Sequence, residues 1–182
     1  YPIDTSYYDN EKHTQADALS VISFMDEMNY EGLSVSGLSD GYYGLTIGGE
    51  FIGRFTAREL ERGINMALLQ NTPQYKQAMK IRQMNEERWL KERKMREFYW
   101  VEYNLMRKTG MLWACDEAAV DTLRKYRPHD IFLQWNGDLW LQYMHKGIRE
   151  DCVNEQQNLV DRIYEQNKPI PLRIEIKKFT DL

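Results

Sequence analysis

Cysteine and histidine are scarce in this chain, and long apolar runs are missing altogether. Its two cysteines, Cys115 and Cys152, are too few for a disulfide framework and show no CxxC or Cys/His ligand spacing. They are expected to stay unbonded to each other, since Cys115 falls in an inter-helix turn and Cys152 in mid-helix. The three histidines, His13, His129 and His145, lie far apart, and none has a second His or Cys at i,i+3 or i,i+4. The expectation is therefore no metal site and no cofactor. No stretch approaches the ~20 apolar residues of a membrane span, and the N-terminus lacks the basic, apolar, small-residue series of a signal peptide. Positive charge is not in excess either: 24 Lys and Arg stand against 28 Asp and Glu, a net charge of -4. That excludes the basic footprint of a nucleic-acid partner. No initiator Met precedes Tyr1-Pro2, so the chain is expected to be a processed product or a piece of something longer.

What is present is 182 residues, enough for a real core, with twelve Tyr and five Trp. These are more rings than an average core needs, which places some of them at an interface. The stretch Tyr42 to Leu69 organises the rest. Two alternating apolar runs meet at Gly48-Gly49, a two-residue hairpin turn in which both residues tolerate positive φ. Thr56 and Glu59 then have the spacing of a capping box and start a helix. Before the hairpin, residues 1–10 read as an extended lead-in, and Thr14 to Met28 as a short helix. Leu33 and Val35 alternate with serines as the first strand of a three-strand meander ending at Phe55.

Thr72-Pro73 repeats the helix-start signal, with no breaker before Gly110, which predicts a helix over about 50 Å long. Its charged face carries i,i+4 pairs, and Ile81, Met84, Met95, Phe98 and Met106 form an apolar stripe. Asp116 to Tyr126 is a short helix closed by Arg127-Pro128. Asp130 to Gln166 reads as a second long helical segment, with Asn136-Gly137 as its candidate interruption, and Leu172, Ile174 and Ile176 alternate as a strand returning to the sheet. The fold class is α+β: a small antiparallel β-meander, a long antiparallel helical hairpin and a C-terminal strand. Residues 1–71 form the meander region and 72–182 the hairpin with its returning strand, within one structural unit.

Trp89 and Trp100 are eleven residues apart, about three helical turns, and Tyr75 falls near the same line. These three are the candidate interface residues. No catalytic residue is identifiable. His129-Asp130 is the nearest thing to half a triad, but it lacks a nucleophile and reads as a polar helix start. Gly44, Gly48, Gly49 and Gly53 lack the lysine and hydroxyl of a phosphate loop and lie within a hairpin, where they serve as turn residues.

The segment GLTIGGEFIGRFTARELERGINMALLQNTPQYKQA resembles the tail region of SGNH (GDSL-type) hydrolases among bacterial secreted esterases. The matching positions are Tyr43, Leu45, Ile47, Gly49, Gly53, Phe55, Thr56, Ala57, Glu59, Leu60, Gly63, Ile64, Asn65, Ala67, Thr72 and Pro73. Asn167-Lys168-Pro169 with Pro171 resembles the end of those proteins. The family's Gly-Asp-Ser block has no counterpart, the nearest string being Gly137-Asp138-Leu139, and no His has an Asp three residues before it. No catalytic residue carries over. The resemblance implies a non-catalytic, post-catalytic region of a periplasmic or secreted ester hydrolase, with carbohydrate deacetylation among the parent's candidate activities. Its partners would be the catalytic domain or a second copy of the chain. The alternative is a stand-alone interaction or glycan-binding module using exposed Tyr and Trp, and a third reading is an enzyme with a scattered site.

Overall fold

The computed structural model describes residues 2–3 and 16–179. Most of the lead-in and His13 therefore lie outside the described residues, as do Thr14 and Gln15. The chain forms two compact units, residues 1–81 with 167–182, and residues 82–166.

The first unit is built on the hairpin. Strands β2 (Tyr42–Ile47) and β3 (Glu50–Thr56) pair antiparallel across Gly48 and Gly49, whose φ values of 59° and 87° are the conformation a two-residue turn demands. Leu45 pairs with Gly53 and Thr46 with Phe51, so Ile52 is an extra residue, a bulge that adds its side chain to the cluster of Leu45, Ile47 and Met66. The capping box is present: Glu59 N–H donates to Thr56 Oγ1 at 3.2 Å and Thr56 N–H to Glu59 Oε2 at 2.7 Å, opening helix α2 (Ala57–Arg62).

The fold class is the one the sequence predicts, but the sheet differs in one member. Its third strand is β5 (Ile174–Lys178), which pairs antiparallel with β2 and gives the order β3-β2-β5. The segment expected to be first in the meander instead forms β1 (Gly32–Leu33) and pairs with β4 (Ile64–Asn65). The reason is that its neighbours are satisfied elsewhere: Val35 N–H donates to Leu60 O, and the Ser34 hydroxyl to Glu61 O. The helix expected over Thr14 to Met28 is also corrected. A 3-10 turn at Ala16–Ser20 and a single turn α1 (Phe24–Glu27) are separated by exposed Val21 and Ile22, whose β-branched side chains disfavour the helix. The Asn65 amide then takes the carbonyls of Met25 and Asn29.

Helix α3 (Pro73–Val101) starts as predicted, with Tyr75 N–H donating to Thr72 Oγ1. It continues as a π turn over Glu102–Met106 and stops at Gly110, φ 77°. Gly110 N–H donates to Arg107 O and Met111 N–H to Met106 O, the paired bonds of a Schellman cap.

In the second unit α4 (Glu117–Tyr126) begins at Asp116, whose carboxylate accepts from Ala119 N–H. Helix α5 (Ile131–Tyr143) begins at Asp130, which accepts from Phe132 and Leu133 N–H, so His129-Asp130 is a helix start. Asn136-Gly137 does not interrupt the last helical segment. The break falls at Met144-His145, before α6 (Lys146–Gln166), because the Arg149 guanidinium donates to the carbonyls of Tyr143 and Met144, both at 2.6 Å, and closes α5 there. Helix α6 runs antiparallel to α3, with Lys91 paired to Glu155 and the Cys152 thiol donating to Lys91 O. The core between these helices holds Met95, Phe98, Leu105, Leu123, Leu133 and Trp140. Cys115 and Cys152 are both free, the first exposed and the second buried.

Candidate functional site: an aromatic cleft held by a buried glutamate

The chemistry-bearing geometry lies where α3 gives way to the π turn. Glu102 falls on the apolar stripe of the helix and is 1% exposed. Its two oxygens each have a donor: Oε1 accepts Trp140 Nε1–H at 2.8 Å, and Oε2 accepts the backbone N–H of Trp113 at 2.9 Å. A buried carboxylate needs such partners, since an unpaired one is strongly disfavoured. Trp113 is in turn the one non-glycine residue among those described with positive φ, 65°. Left-handed backbone is uphill for a bulky side chain and persists only where its surroundings hold it. The Glu102 bond and three neighbouring rings do that here. Phe98 lies at 6.4 Å and 29° to the Trp113 ring, and Tyr99 and Tyr103 meet it edge-on at 6.0 Å.

Trp113 nevertheless stays 45% exposed. With Tyr99 it borders an open cleft of about 610 Å³, whose other wall is the N-terminal part of α6, including Lys146, Arg149, Glu150, Asp151 and Asn154. Arg149 is committed: besides closing α5, its guanidinium stands 4.8 Å over the Phe98 ring. Lys146 pairs with Glu150 at 3.3 Å. Sequence reasoning passed over this site. The available signal was a glutamate on an otherwise apolar helical stripe, four residues after Phe98 and three before Leu105.

The candidate interface residues have separate surroundings. Trp89 is 46% exposed, with the Arg96 guanidinium 5.6 Å from its ring. Trp100 is partly buried against the helical core and lies 5.2 Å from Phe132, which meets the exposed Trp135 edge-on. Tyr75 belongs to the first unit, where its hydroxyl donates to Ile3 O at 2.8 Å. Among the described residues no His, Cys, Asp and Glu group is arranged to hold a metal ion, and no helix is long and apolar enough to cross a membrane.

Residues 79–168 match the C-terminal helical domain of diltiazem deacetylase. The match takes in the whole of the second unit, and with it Glu102, Trp113 and Trp140. Among solved structures, a gut microbial diltiazem-metabolizing enzyme aligns with a TM-score of 0.89 and 37% identity, over 98% of this chain and 40% of that one. The chain thus spans about two fifths of the length of the enzyme it resembles. No curated protein matches it. The similarity to the deacetylase domain is to the C-terminal part of a hydrolase.

Proposed function

We propose that this chain is a non-catalytic C-terminal region of an SGNH-type ester hydrolase, and that it acts by packing on the catalytic part or by pairing two copies of it. The observation that carries this reading is the asymmetry of the structural match, in which nearly all of this chain corresponds to a minority of a longer enzyme. The helical unit matched to the deacetylase domain supports it. The relative's deacetylase and diltiazem-metabolizing names make acetyl esters the proposed substrate class of the parent enzyme. The SGNH assignment and a periplasmic or secreted location rest on the resemblance of residues 44–78 to that family's tail region.

The purified 182-residue chain should not hydrolyse p-nitrophenyl acetate or acetylated sugars above background. Appending it to the protein encoded in frame before Tyr1 should raise that protein's melting temperature or change its assembly. Saturable turnover by the chain alone would overturn the reading. So would a full-length product with no stability or assembly difference from the version ending before Tyr1.

A further inference from the structure

The cleft beside Trp113 is more than a seam left by packing. Trp113 leaves nearly half of its surface exposed while its backbone sits in a conformation that costs free energy. A π turn, which is itself uncommon and often found where a function needs it, brings Glu102 to the position that accepts the Trp113 N–H. Three rings then fix the indole plane, so a ligand meeting its exposed surface would lose little by ordering it.

The polar wall narrows the class of ligand. Lys146 and Arg149 bring two positive charges, and Glu150 and Asp151 two negative ones. Lys146 is paired with Glu150, and Arg149 is spent on the α5 carbonyls. A rim balanced in this way gives no net attraction to an anion or to a cation. Asp151 and Asn154 stand three residues apart on α6, on one helical face, and both border the cleft. Together they offer acceptors and amide donors beside a flat apolar ring. Gly147 lies on the same face, and with no side chain it leaves that part of the wall open. The volume of about 610 Å³ lies within the usual range for small-ligand sites.

We propose that this cleft is a saccharide-binding site, in which a neutral sugar ring stacks its C–H face on Trp113 and Tyr99 while its hydroxyls hydrogen-bond Asp151 and Asn154. Glu102 is a positioning residue, acting on the ligand only through Trp113. This inference is independent of the proposed place of the chain in an ester hydrolase. Loss of sugar binding would leave that reading intact, and the absence of a parent enzyme would leave this one intact.

The test is titration of the full chain with cellohexaose, xylohexaose, mannohexaose and N-acetylchitohexaose up to about 10 mM, followed by intrinsic tryptophan fluorescence and calorimetry. At least one sugar should give a saturable signal by both methods. Trp113→Ala and Asp151→Ala should each weaken it by about tenfold or more, whereas Trp135→Ala, which is exposed and does not line the cleft, should leave affinity unchanged. Asp151 is exposed in a helix, so its variant keeps the test valid if Trp113→Ala does not fold. Saturation with none of the four sugars would overturn the proposal, as would binding that both cleft variants retain at wild-type affinity.

Discussion

The indole N–H of Trp140 donates to Glu102 Oε1 at 2.8 Å, with both side chains shut off from water. The other oxygen of the same carboxylate holds the Trp113 backbone, so one side chain ties three parts of the helical unit together. Removing it leaves two buried or half-buried donors without acceptors, at about 1–3 kcal/mol each. Glu102→Ala should therefore destabilise the chain by about 2–6 kcal/mol in urea unfolding. Glu102→Gln should cost less, because the amide oxygen still accepts one of the two bonds. Equal stability of Glu102→Ala and the parent would show that the network contributes nothing.

Asn65 plays a comparable part in the first unit, where its amide makes all four bonds open to it. Oδ1 accepts from Glu31 and Ala67 N–H, and Nδ2 donates to Met25 and Asn29 carbonyls. At about 1 kcal/mol net per bond, Asn65→Ala should lower stability by roughly 2–4 kcal/mol. Asn65→Asp should do no better, since a carboxylate cannot donate to the two carbonyls. A midpoint shift of less than a few tenths molar in urea for both variants would contradict this.

Burial, aided by the neighbouring Cys152 thiol, pushes the Tyr143 hydroxyl up from 10.0 to about 12. The folded chain therefore holds this proton at pH values where the unfolded chain has released it. The resulting stability is complete below about pH 10 and is lost as pH rises through about 12. Tyr143→Phe should flatten the alkaline decline of the urea midpoint across that window. An unchanged decline would mean that another group sets it.

Gly137 lies inside α5 because a side chain there would meet Arg127: an added Cβ would stand 3.1 Å from its Nε. Arg127 is held in place by both oxygens of Asp138, each at 2.6 Å, and by Gln134 O. In an Arg127→Ala background, Gly137→Ala should stabilise by about 1 kcal/mol, the ordinary helix preference. In the parent the same change should gain less or be unfavourable. Equal effects in the two backgrounds would rule out the coupling.

Trp89 and Trp100 should behave differently when truncated. Trp100 packs against the helical core, and Trp100→Ala should cost on the order of 3 kcal/mol. Trp89→Ala should alter the melting temperature little, because the ring is nearly half exposed, and should weaken any self-association seen in sedimentation. A large stability loss for Trp89→Ala with assembly unchanged would remove it from the proposed interface.

The sequence alone determined the local punctuation of this chain. The Gly48-Gly49 turn, the Thr56/Glu59 box, the Thr72-Pro73 start, the Gly110 stop and the start of the short helix at Asp116 all lie where the pattern puts them. Each depends on backbone φ preferences or on bonds spanning five residues or fewer, which neighbouring residues decide among themselves. Tertiary structure alone decided which strand completes the sheet and why a glutamate sits on an apolar stripe. β5 and the segment around Leu33 both alternate suitably, and the second is held away from the sheet by its pairing with β4 and by the bonds of Val35 and Ser34 to α2. Glu102 reads as an ordinary helical charge until partners 11 and 38 residues away are brought to its two oxygens. Such contacts are made worthwhile by water exclusion, and water exclusion is a property of the assembled core, not of any window of the chain.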